Sequence, residues 1–211
     1  MDEMRGEVSC RVGFAPCSTT GRVTPPKSDR PLINTAKDIH IFMYFLKSAR
    51  IGLRRFQISD CDFIVELWND PDYIANVADR GIRTSVDAER YFSEKLLPNC
   101  REGGFGPYLV ELIDTSYRMG FVGLFKRQEF EDADIGFAFL PSFRRMGYAL
   151  ESAQLIESYG RTTLGLKVIN GFTSTTNRGS QIILSKLGLA YQKTFRMEGY
   201  EGDTKLYSKV C

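Results

Sequence analysis

The segment Asp134 to Tyr159, DIGFAFLPSFRRMGYALESAQLIESY, constrains the fold more than any other, because it switches within a few residues from the period of a strand to that of a helix. Ile135, Phe137 and Phe139 alternate with Gly136 and Ala138, and Pro141, which has no backbone donor, ends the ladder. From Tyr148 onward, Ala149, Ala153, Ile156 and Gly160 recur at helical spacing, with Glu151, Gln154 and Glu157 on other faces. Between the two periods lies Arg144-Arg145-Met146-Gly147-Tyr148-Ala149. The missing side chain of Gly147 and the small one of Ala149 let an anion reach the unpaired N–H groups of the helix's first turn, and a pyrophosphate suits the space. The plain alternative is a surface loop with two arginines for solubility.

The chain around this segment is patterned from Ser48 to the C-terminus. Ser48 to Phe56 reads as a strand weakened by Gly52. Ser59 to Asp62, and again Thr84 to Asp87, have the form of a capped helix start ahead of apolar residues at helical spacing. Tyr108 to Ile113 and Met119 to Phe125 should pair as a hairpin. Val168 to Thr173 is another strand, and Thr175 to Ser180 opens a helix that Gly188 ends. Leu189 to Phe195 and Thr204 to Lys209 complete the sheet. The expected order is βααβββαβαββ, a mixed α/β domain over 48–211. Residues 1–47 form a poorly patterned tail. Its first 37 residues hold Pro25, Pro26 and Pro31 and no sustained period, which predicts disorder. Asp2, Glu3 and Glu7 argue against a mitochondrial signal, and no early apolar run suits a secretory one. The apolar stretch Ile39 to Leu46 could add a short strand or helix.

Composition excludes several classes of function. A chain of 211 residues supports one substantial core. Apolar residues at 43% and charged ones at 26% fit a soluble protein, and no run is long enough to span a bilayer, so no membrane partner is expected. A net charge of +2, with both signs mixed throughout, offers no field for nucleic acid. Cys10, Cys17, Cys61, Cys100 and Cys211 are odd in number and widely spaced, which fits a reducing compartment such as the cytoplasm rather than a disulfide framework or zinc ribbon. With His40 as the single histidine, neither a Ser-His-Asp hydrolase nor a histidine-rich metal site is expected.

Arg144, Gly147 and Ala149 fill the fixed places of Q/R-x-x-G-x-G/A after a strand ending near a proline, and the segment resembles the acetyl-CoA-binding motif of the GNAT superfamily of N-acyltransferases. The opening strand is similar to the family's T-x-R-L-x-L-R-x-F, and Asn177 and Ser180 match its N-x-x-S. The resemblance looks closest to the branch of ribosomal-protein N-terminal acetyltransferases and their small-molecule relatives. It implies a GNAT-type mixed, mostly antiparallel sheet flanked by helices, with acetyl-CoA as the acyl donor. The acceptor would be a primary amine of a small molecule or protein N-terminus, which attacks the thioester directly. A homodimer is one option for its assembly.

Carried over position by position, the resemblance implies that the strand before the turn pairs incompletely with the strand after the motif helix, and that the pantetheine arm fills the opening. Main chain of Ala138, Phe139 and Leu140 would then meet the arm, and Arg144 to Ala149, with Arg145, Met146 and Tyr148 included, would hold the diphosphate. Asn177 is either a contact to the coenzyme or simply a helix cap, or both. Ser180 could bond the departing thiolate. Many relatives place a tyrosine acid four residues beyond it, where this chain has Leu184. That departure motivates an alternative, an acyl-CoA-binding or sensing protein without efficient catalysis. For the base, Asp134 stands at the start of the coenzyme strand, and Glu111, inside the apolar run YLVELI, is a second candidate.

Overall fold

The computed structural model describes residues 44–97, 103–197 and 202–211. The expected tail up to residue 43, His40 and Cys100 lie outside these. Among the described residues one mixed sheet has the order β1-β2-β3-β4-β5-β6-β8-β7. Its strands are β1 (Leu46–Lys47), β2 (Ile51–Arg55), β3 (Gly106–Leu112), β4 (Arg118–Phe125), β5 (Ala133–Phe139), β6 (Val168–Ser174), β7 (Ala190–Arg196) and β8 (Asp203–Val210). Every neighbouring pair is antiparallel except β5 and β6. The expected order thus holds with two additions, a third helix before β3 and a short strand at the front: Leu46 joins the sheet ahead of the anticipated boundary at 48. The reason is aromatic packing, since Phe45 stacks on Tyr108 with centroids 4.5 Å apart and meets Tyr159 edge-on at 4.8 Å. Gly52 proves useful rather than weakening, because the Tyr44 ring lies where a Cβ would stand.

Helices cover both faces. α1 (Cys61–Trp68), α2 (Pro71–Asn76) and α3 (Ser85–Tyr91), the last continuing through a wide turn to Leu96, lie on one side. They bury Phe63, Ile64, Leu67, Trp68, Ala88 and Phe92 against Leu109. α4 (Tyr148–Thr162) and α5 (Arg178–Lys186) lie on the other, where Ala153, Ile156 and Leu184 join Leu53, Val122, Leu124 and Ile169. Two of the expected starts are built as read: Thr84 and Asp87 form a reciprocal capping box, and the Asn177 side chain accepts from Ser180 N at 3.0 Å. The third is not: no side chain caps α1, and Asp60 rather than Ser59 precedes it, at the end of a short turn from Ile58. α2 was not anticipated. Asp70 caps it by accepting from Tyr73 N at 3.1 Å, and Pro71 takes the first helical position.

A buried ion network locks the first strands together. The Arg54 guanidinium donates to both oxygens of Asp60, at 2.7 and 2.9 Å, and to Glu111 at 2.7 Å. Burial alone would raise the Asp60 carboxyl, but Arg54 overrides it and holds that group below the usual range.

Candidate active site

The parallel strands β5 and β6 pair only at Ala133 with Ile169 and Asp134 with Asn170, although both run on for several residues. Their edges therefore diverge into a seam. Backbone groups in a protein interior need partners, so such an edge offers an unfilled ladder to whatever enters it. In register across β5, β4 and β3 stand Gly136, Gly123 and Pro107; Gly136 and Pro107 line the cleft, and the Phe125 ring lies where a Cβ on Gly136 would stand. Over the mouth of the seam, α2 acts as a strap. Arg144, just after β5, is ion-paired to Asp70 and Asp72, and Ser174, the last residue of β6, donates to Asn76. The resulting cleft has a volume of about 1160 Å³, large enough for a ligand arm together with a second small molecule.

At the far end of β5 the chain makes the anion-ready turn. Gly147 is left-handed at φ 86°, a conformation that suits glycine, and Arg145 is left-handed at φ 62°. No side chain caps α4, so its first N–H groups stay available to an anion. Some groups expected at this turn and along the arm have partners within the chain. The Arg144 side chain donates through Nε to Phe139 O at 2.8 Å, and its other nitrogens hold Asp70 and Asp72. Of the three residues expected along the arm, Phe139 spends its carbonyl on Arg144 and Leu140 spends its N–H on Met119 O at 2.9 Å. Ala138 remains in the divergent stretch. Arg145 and Met146 are exposed, while Tyr148 and Ala149 are half-buried in the first turn.

Arg50 is the residue at this turn that the sequence did not single out. Its guanidinium lies 4.7 Å over the Tyr148 ring and 3.6 Å from the position of a Cβ on Gly147. It donates through Nε at 3.0 Å to Glu151, which also accepts from Ser48. Burial opposes ionisation of Glu151, but the Arg50 and Ser48 bonds hold its carboxyl below the usual range. Arg50 thus neutralises a carboxylate that would otherwise repel an anion at this helix end. With a partner 101 residues away, no local pattern could announce it.

Of the two expected bases, Asp134 lines the cleft at 2% exposure and Glu111 does not. Glu111 faces Arg54, with Tyr44 donating to its other oxygen at 3.3 Å, so it is built into the ion network rather than turned toward a reacting amine. Asp134 accepts from Arg127 Nε at 2.8 Å. Burial pushes its carboxyl above the ordinary value, with Arg127 opposing but not cancelling that effect.

Asn177 and Ser180 both line the cleft. Asn177 certainly caps α5, as its bond to Ser180 N shows. Leu184 is buried against Gly171, where a Cβ would overlap its side chain. Two tyrosines that the sequence did not place, Tyr73 and Tyr91, enter the same cleft, and Arg80 donates to their hydroxyls at 3.3 and 3.1 Å. Thr173 also lines it, and its Oγ1 is the buried side-chain polar atom without a hydrogen-bond partner among the described residues.

A sheet split beside an uncapped helix end, with a buried carboxylate in the same cleft, is the architecture of a coenzyme A-dependent acyltransferase. A family model described as an acetyltransferase (GNAT) domain matches residues 50–190, and the chain belongs to that family. It is 24% identical over 151 residues to the uncharacterized N-acetyltransferase YnaD of Bacillus subtilis (strain 168), across 72% of this chain and 85% of that protein. It is similar in structure to a GNAT-family acetyltransferase from Bacillus anthracis, with a TM-score of 0.67 and 22% identity over 80% of this chain and 98% of the other. It is also similar to RimL, a ribosomal L7/L12 alpha-N-protein acetyltransferase in complex with coenzyme A, with a TM-score of 0.65 and 14% identity over 77% and 95% of the two chains. Family membership makes the chain an acyltransferase that uses acetyl-CoA. The uncapped α4 end fits the diphosphate, and the seam fits the extended arm.

Proposed function

We propose that this chain transfers the acetyl group of acetyl-CoA directly to a primary amine, on a small molecule or a protein N-terminus, within one ternary complex. The observation that carries the reading is the seam between β5 and β6 opening onto a cleft that contains Asp134. The diphosphate rests on the turn from Arg145 to Ala149 through main-chain N–H groups, with Arg50 and Arg145 as nearby cations, and Asn177 contacts the arm. Asp134 takes a proton from the acceptor's ammonium, directly or through a water, and its raised proton affinity favours that transfer. The neutral amine then attacks the thioester carbonyl, whose oxygen is polarised by a main-chain donor of β5. The adduct nitrogen gives its extra proton to water, the C–S bond breaks, and the thiolate takes a proton from Ser180, a cleft tyrosine or water.

Among the described residues no cysteine or serine of the cleft has a histidine beside it, so direct attack is the reading and kinetics should be sequential. Amine-dependent thiol release from acetyl-CoA tests the reading. A ping-pong pattern would exclude direct attack. Leu184 favours one rival, an acyl-CoA-binding protein without efficient catalysis, and tight acetyl-CoA binding with no release for any amine would establish it.

A further inference from the structure

Resting on the acetyl-transfer reading, we infer that the acceptor is an amine carried on an apolar, aromatic-sized body with a single cationic centre, rather than a polyamine. Trp68, Tyr73, Tyr91, Phe121, Phe125 and Phe172 all line the cleft. Tyr91, Phe121, Phe125 and Phe172 are only half-buried. Half-buried aromatic rings inside a concave site match a flat apolar ligand and gain from covering it. Trp68 and Tyr91 already meet edge to face at 5.0 Å, and Trp68 and Tyr73 stack at 6.1 Å, so the wall is preformed.

Charge points the same way. A polyamine needs several carboxylates along its length, each able to receive an ammonium. Among the described lining residues the carboxylates are Asp79 and Asp134, and each is already held by an arginine: Asp79 by Arg83 at 2.6 Å and Asp134 by Arg127 at 2.8 Å. Arg80, Lys95, Lys126 and Arg127 add cations to the same lining. A second and third ammonium would meet repulsion there, whereas one reacting amine calls on Asp134 as a proton acceptor and not as a resting counter-ion.

The test compares 2-phenylethylamine, ethylamine and spermidine as acceptors, with short peptides beginning in phenylalanine or alanine to separate a small-molecule source of the aromatic group from a peptide one. Trp68 is the single tryptophan of the chain, so its fluorescence reports occupancy of the cleft without requiring turnover. The expected result is a kcat/KM for the aromatic acceptor about 30-fold or more above its aliphatic counterpart, the gain of burying a phenyl group. A saturable change in tryptophan emission should appear with 2-phenylethylamine on the CoA-loaded protein and not with spermidine. Thiol release that ranks spermidine first, or aromatic and aliphatic amines equally, overturns this inference and leaves acetyl transfer standing. Absence of release with every amine overturns acetyl transfer, and the emission titration then still decides what the cleft accepts.

Discussion

The Arg127 guanidinium grips Asp134 on both carboxylate oxygens, Nε to Oδ1 at 2.8 Å and Nη2 to Oδ2 at 3.3 Å, and burial still leaves that carboxyl harder to ionise than a solvated one. The acid limb of kcat/KM should therefore lie above the usual aspartate range, with the rate falling as pH drops through the raised value. Arg127→Gln removes the effect that opposes burial, so the limb should move further up in pH. Asp134→Asn should lower turnover by about 10²- to 10⁴-fold with little change in acetyl-CoA affinity. Rate–pH profiles of the three proteins check both points, and full activity in Asp134→Asn would hand the proton to water.

Gly147→Val should weaken acetyl-CoA binding by at least about tenfold, because a side chain would stand against the diphosphate. It should also cost about 1–2 kcal/mol of stability, since φ 86° is foreign to a β-branched residue. Calorimetric titration with acetyl-CoA, beside a denaturant melt, separates the two effects. A folded variant with unchanged affinity would remove the diphosphate from this turn.

Arg50→Gln should reduce acetyl-CoA affinity about two- to fivefold at low salt, by leaving Glu151 uncompensated at the start of α4. Replacing both Arg50 and Glu151 with glutamine should recover much of that loss. Titrations of the two variants at low and high salt measure the coupling, and equal losses in single and double variants would show that Arg50 does not act through Glu151.

A chain starting at Asp38 should fold and bind acetyl-CoA like the full protein, because it keeps Tyr44 to Lys47. Starting at Ser48 instead should cost about 2–4 kcal/mol, the price of losing the Phe45 stack on Tyr108, the Tyr44 cover on Gly52 and its bond to Glu111. Urea melts of both shortened chains give the comparison; matching midpoints would mean that these aromatics are dispensable.

Thr173→Val should be neutral or stabilise the protein by about 1 kcal/mol, because it removes a buried hydroxyl that has no partner among the described residues while keeping the shape. If acetyl-CoA affinity falls in the same variant, the hydroxyl serves the ligand instead. One thermal melt and one titration decide.

The parts of this molecule that could be read from its sequence are those fixed by neighbours along the chain. The change of period around Pro141 located β5 and α4, and the spacing of Thr84 to Asp87 and of Asn177 to Ser180 located two helix starts that the side chains indeed cap. α2 was missed because six residues are too few to show a helical period, although Asp70-Pro71 carried its start signal. The side-chain direction of Arg144 was beyond reach, since it is set by carboxylates 72 and 74 residues earlier. Glu111 looked like a buried base because its counter-ion, Arg54, lies 57 residues away. Strand order was equally hidden: nothing local tells β8 to lie between β6 and β7.

The split between β5 and β6 makes the sheet a wall with a vertical crack, crossed by two registered pairs at one end and clipped at the other by the short helix that holds Arg144 and Ser174. Whatever fills the crack becomes its mortar. A donor that binds only the folded form adds stability in proportion to the logarithm of its concentration, about 2.7 kcal/mol at a hundred times its dissociation constant. Melting temperature is thereby a gauge of donor occupancy alone, readable before any acceptor is known.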